Sequence, residues 1–172
     1  MAMLEPFTEA VAQVLSDLRR TLGCRALWKD ALPALGWELG HECTIHLHPY
    51  CQAVKAVPAR LARCLHEDDP QPTEKSGQAP RLRICHAGVA EVVAPVLVGD
   101  AWIGTLFVGP FLARDCQPLH LAGANTLPRV EPERALAAAR LAVRLLSGLD
   151  RERARSRAAH GLRPDAPPAI AA

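Results

Sequence analysis

Two apolar segments, Glu91–Val98 and Ala101–Val108, are separated only by Gly99 and Asp100. A two-residue connection made of turn formers leaves antiparallel pairing as the regular arrangement open to its flanks. Both flanks are rich in valine and other strand formers, so the hairpin predicts the centre of an antiparallel sheet. Arg81–Ala87 reads as a further strand before it, and Cys24–Leu32 as another near the start.

Helices surround this sheet in the chain. Phe7, Val11, Val14, Leu18 and Leu22 recur at helical spacing, with Pro6 in the first turn and Gly23 as a stop. The stretch from Thr44 to His48 reads as extended, and Pro49 suits the first position of the next helix. That helix meets Pro58, which removes a hydrogen bond and favours a bend. It restarts with Leu61, Cys64 and Leu65 on one side. Pro70 to Pro80 reads as a polar loop. A closing helix is predicted from about Pro132 to Arg157. Its apolar stripe is Leu136, Ala139, Val143, Leu146 and Leu149, opposite Arg140, Arg144, Ser147 and Arg151. This order predicts an α+β domain: an antiparallel sheet with flanking helices and a long C-terminal helix.

The 172 residues suit a single core, and 20 basic against 18 acidic residues leave a net charge of +2. Such a balance gives no mandate for nucleic acid or membrane. No apolar run is long enough to span a bilayer, and the acidic N-terminus does not read as a signal peptide. Six cysteines are then expected to be reduced thiols in the cytoplasm, free for metal, redox or packing roles. No GxGxxG, GxxxxGK[ST] or GxSxG motif occurs, which removes the usual nucleotide-binding and hydrolase signatures.

Cys51, Cys64 and Cys85 have no CxxC spacing. On one straight helix Cys51 and Cys64 would lie about 20 Å apart. A bend at Pro58 would bring them together, and Cys85, at the end of its strand, would be the third member. His86 or His48 could complete a tetrahedral set around zinc or iron. The alternative is that these thiols brace a pocket without metal. Cys24 and Cys116 read as packing residues. His46 and His48 alternate on their extended segment and read as an exposed strand face. Cys85 and His86, as neighbours on a strand, point to opposite faces and should not form a catalytic dyad.

Taken together, "HPYCQAVKA", "RCLHEDD" and "CHAGVAEVVAPVLVGDAWIGTLFVGPF" resemble the PocR-type sensory domain of bacterial regulators over about Gly36 to Phe111. The most specific elements are Cys85-His86-Ala87-Gly88, Glu91, Pro95, Gly99, Gly104 and Gly109-Pro110-Phe111. The resemblance implies a PAS/GAF-like, non-enzymatic sensor of small organic molecules, such as diols or alcohols, that regulates transcription or signalling. Residues 1–158 would be one such domain, with its core at 36–111 and a disordered tail at 159–172. Candidate ligand contacts are Lys55, His86 and Glu91 as polar groups, with Pro95, Trp102 and Phe107 among the apolar walls. The candidate metal set is Cys51, Cys64, Cys85 and His86. The alternative function is a cysteine-based metal-binding or redox-sensing protein. Only a short tail follows the terminal helix, so output would come through a partner or a missing module. Arg151, Arg153, Arg155 and Arg157 read as a solvated helix end, and direct nucleic acid binding is not expected. The broad stripe of the terminal helix predicts a homodimer.

Overall fold

A computed structural model describes residues 5–31, 39–68 and 79–159. Four strands form one antiparallel sheet in the order β1-β4-β3-β2. They are β1 (Ala26–Asp30), β2 (Arg81–Ile84), β3 (Ala90–Val98) and β4 (Ala101–Phe111). The central hairpin closes where expected, with Val98 opposite Ala101 and Gly99 at a positive φ of 59°. Glycine takes that conformation without the penalty a Cβ would bring.

Side chains alternate across the sheet and divide the molecule in two. One face presents Ala26, Trp28, Ala90, Val92, Ala94, Val96, Leu106 and Val108 to the main core. That core is closed by α1 (Glu5–Leu22) and the terminal helix, α5 (Pro132–Ala159). The buried stripe of α5 is Ala135, Ala139, Ala142 and Leu146. Leu136 and Val143 pack at its margin. Three alanines in that stripe let the helix axis approach the sheet closely. The side chains of Leu149, Arg151, Arg153, Arg155 and Arg157 lie outside the described part, as do residues 160–172 of the expected tail and 70–78 of the expected loop.

The opposite face carries Leu27, Val93 and Phe107, with Arg83 beside Glu91 across β2 and β3. Among the described residues, three further helices precede β2 in the chain: α2 (His41–Thr44), α3 (Pro49–Lys55) and α4 (Pro58–Asp68). The chain does break between α3 and α4, and Pro49 occupies the first turn of α3. Two expectations are corrected. Thr44 closes α2 instead of starting an extended segment, and residues 46–48 form no strand. His48 is the N-cap of α3, its Nδ1 accepting from the Tyr50 N–H at 3.2 Å. His46 is buried rather than exposed.

Candidate functional site

Tyr50 pins the region in place. Its side chain is fully buried. Its hydroxyl donates to the Ala87 carbonyl and accepts from the Leu119 N–H at 2.8 Å. The turn after β2 is thereby tied to α3, and the next residue of α3 is Cys51. Within the turn, the Gly88 N–H donates to the Cys85 carbonyl at 2.8 Å, and the Cys85 N–H to Val89 at 2.9 Å. Gly88 has a φ of 76°, and a Cβ there would stand 1.9 Å from the Gln117 carbonyl oxygen. Only glycine fits both the conformation and the space.

These elements converge on a cavity of about 30 Å³ lined by Cys51, Cys64, Cys85, His86, His46 and Glu91, among others. The cavity has room for about two water molecules or a compound of a few heavy atoms. Lys55, Glu67, Asp68 and Pro110 complete much of its polar and rigid rim. The three candidate cysteines, drawn from α3, α4 and the turn, do share one cavity. Among the described residues, no group of three or more His, Cys, Asp or Glu side chains has the arrangement to hold a metal ion. The three thiols meet as lining of this cavity.

The charged groups are strongly organised. Glu91 is 4% exposed, and its Oε1 accepts from Arg83 Nε at 2.9 Å and Nη2 at 2.7 Å. Arg83 also donates to the Glu67 carbonyl. Its guanidinium lies 5.6 Å from the centre of the Phe107 ring, a cation–π contact. Burial alone would lower the Arg83 pKa, and the charge and hydrogen bonds of Glu91 raise it instead. The imidazole of His46 packs edge-on against Phe107, with ring centres 6.2 Å apart. Its Nε2 is buried without a hydrogen-bond partner, 3.8 Å from Glu91 Oε2. Burial holds the His46 pKa down, against the opposing pull of Glu91.

His86 meets Cys64 and not its neighbour Cys85. Its Nδ1 lies 3.0 Å from Glu67 Oε2, and its backbone N–H donates to the same carboxylate. Cys64 Sγ is 3.8 Å from the other ring nitrogen, Nε2. Burial pushes the thiol of Cys51 up to about 12 and that of Cys85 up to about 11. Cys24, in the main core, is likewise raised to about 11. Cys64 is raised too, with burial the largest cause and Lys55 opposing it.

Of the candidate ligand contacts, Lys55, His86 and Glu91 line the cavity. Phe107 does not line it and packs instead against His46 and Arg83. Pro95 and Trp102 do not line the cavity: Pro95 pairs with Thr105 further along the hairpin, and the Trp102 indole donates to Thr105 Oγ1 at 3.2 Å. Sequence reasoning missed His46, Glu67 and Arg83. A signal existed for Glu67, which lies three residues after Cys64 and so shares its helix face. Arg83 and Glu91 are opposite charges placed almost evenly about Gly88, as a cross-strand pair would be.

The sequence profile described as "Sensory domain found in PocR" matches residues 40–154. The chain belongs to this family. The cavity and its turn fall inside the matched span of the PocR domain. A solved structure of the C-terminal domain of a Vibrio cholerae protein described as a transcriptional regulator is 19% identical, covering 79% of this chain and 93% of that one, with a TM-score of 0.37. No curated protein matches the chain. Among the described residues, no helix is long and apolar enough to cross a membrane.

Proposed function

We propose that this PocR sensory domain is a non-enzymatic receptor for a small organic molecule bearing a hydroxyl or carbonyl oxygen, bound in the cavity between α3, α4 and the sheet. One observation carries the reading: His46 Nε2 is buried without a partner across from Glu91 Oε2, at the cavity. A buried polar atom left unpaired costs about 1–3 kcal/mol, a penalty that an incoming oxygen would relieve. A hydroxyl suits the gap, since it can accept from a neutral imidazole N–H and donate to a carboxylate. Apolar parts of the ligand would rest on Val54 and Val89, which also line the cavity. The volume favours compounds of two to four heavy atoms, and a larger diol would need α4 to move outward.

Thermal-shift measurements with ethanol, ethanediol, propanediol and acetaldehyde test this. At a concentration a hundredfold above Kd, a ligand adds about 2.7 kcal/mol of stability. At least one of these compounds should raise Tm in the native protein, and His46→Phe should abolish that rise. No shift with any of them would overturn the reading. The same preparation, melted with and without a chelator, tests the metal alternative: a Tm that drops on chelation would replace this proposal with a metal site.

A further inference from the structure

Cys64, His86 and Glu67 stand in series: thiol, imidazole, carboxylate. An ionised carboxylate can only accept, so the His86 proton sits on Nδ1, facing Glu67. With that tautomer, Nε2 is the acceptor that faces the Cys64 thiol, 3.8 Å away. This is the arrangement of an activated nucleophile: a thiol, a base within reach, and a third group that orients the base. Cys64 is half-buried and all three residues border the cavity. Among the described residues, no base stands within hydrogen-bond reach of the Cys51 or Cys85 sulfur, although both line the same cavity.

We infer that Cys64 is a nucleophile that captures small aldehydes reversibly as hemithioacetals, with His86 relaying the proton and Glu67 positioning His86. The inference rests on the small-ligand reading and names the chemical class that this corner of the cavity takes. In the step, the Cys64 sulfur forms a bond to the carbonyl carbon as the carbon–oxygen π bond breaks. The thiol proton passes to His86 Nε2 and then to the new alkoxide oxygen. Nothing is oxidised or reduced, and no leaving group departs. Because burial keeps the Cys64 thiol protonated at rest, the base is what makes attack feasible. Reversibility suits a sensor, whose occupancy must follow the concentration of its ligand.

The probe is isotopically labelled acetaldehyde on the full chain, read by carbon NMR as a carbonyl signal replaced by a thioacetal one. The adduct signal should appear in the native protein, in Cys51→Ser and in Cys85→Ser, and vanish in Cys64→Ser. A second measurement needs no cysteine variant: limiting iodoacetamide, with the modified cysteine located by mass spectrometry. Cys64 should be alkylated first, and His86→Gln or Glu67→Gln should slow it by about a hundredfold, the low end of what a positioned base contributes. A merely accessible thiol would keep its rate in both variants. An adduct that persists in Cys64→Ser, or alkylation indifferent to His86, overturns the inference. Ethanol cannot form a hemithioacetal, so it separates the two readings. If ethanol raises Tm and acetaldehyde gives no adduct, the receptor stands and the nucleophile falls. If none of the four compounds raises Tm and acetaldehyde gives no adduct, both fall.

Discussion

Arg83 and Glu91 face each other across β2 and β3 with most of both side chains out of water. Taking either charge from bulk water is expensive, and the pair is tolerable because two hydrogen bonds join it. Glu91→Leu should therefore cost about 3–5 kcal/mol, since it strands a buried guanidinium. Arg83→Met combined with Glu91→Leu should recover most of that loss in urea denaturation. If the double variant is as unstable as the single one, the pair is not what the stability depends on. His46 sets a pH dependence of its own. Its folded pKa is lowered by burial, so the unfolded chain takes up the proton first as the solution is acidified. The associated stability is fully present above the ordinary histidine value of about 6.5 and is lost as pH falls below it. The urea midpoint should drop between pH 7 and pH 5, and His46→Phe should flatten that part of the slope.

At the scale of elements, α4 reverses the usual amphipathic rule. Cys64, Glu67 and Asp68 turn toward the cavity, while Leu65 is 62% exposed. Spacing put Leu61, Cys64 and Leu65 on one side, and an apolar stripe normally seeks the core, but of the three only Cys64 lines the cavity while Leu61 is 36% exposed. A helix that spends its inner face on a thiol and two carboxylates is arranged for a site and not for packing. The turn 85–88 makes a sharper prediction. Gly88→Ala forces a Cβ against the Gln117 carbonyl at a positive φ. We expect a loss of more than about 2 kcal/mol, from steric overlap added to backbone strain. Ligand-induced stabilisation should disappear with it, because Cys85 and His86 flank the same turn. A variant with native Tm would show that this turn relaxes freely.

Across the whole molecule, the sheet stands between two compartments. Glu91 and Val93 look toward the cavity side, while Ala90, Val92 and Ala94 of the same strand enter the core shared with α1 and α5. A ligand that shifts β3 would therefore be felt at α5, provided that it binds the two arrangements unequally. The outer side of α5 carries Leu141 and Leu145, 60% and 54% exposed. They border a groove of about 160 Å³ whose other wall is Val14, Leu18 and Thr21 of α1. Leucines one turn apart beside an apolar groove suit an isologous contact, in which each copy supplies both the knobs and the groove. Light scattering at micromolar concentration should give a dimer, and Leu141→Lys with Leu145→Lys should give a monomer. A monomeric native protein would remove the contact.

The hairpin at Gly99-Asp100, the stop at Gly23, the start at Pro49 and the break near Pro58 were legible in the sequence because each is decided locally. A turn, a cap or a missing N–H acts over a few residues and needs no partner from elsewhere in the chain. The family pattern likewise sits in contiguous stretches. The site was legible only in part. Cys51, Cys64 and Cys85 could be gathered on paper, but which thiol meets His86 could not. Adjacent residues on a chain point apart, whereas Cys64 and His86, 22 positions distant, are brought together by the docking of α4. The burial of His46 and the pairing of Arg83 with Glu91 have the same origin. Both depend on where α3 and α4 lie relative to the sheet. That choice is made by packing across the whole fold, where desolvation and partner geometry decide a side chain's chemistry and sequence neighbours do not.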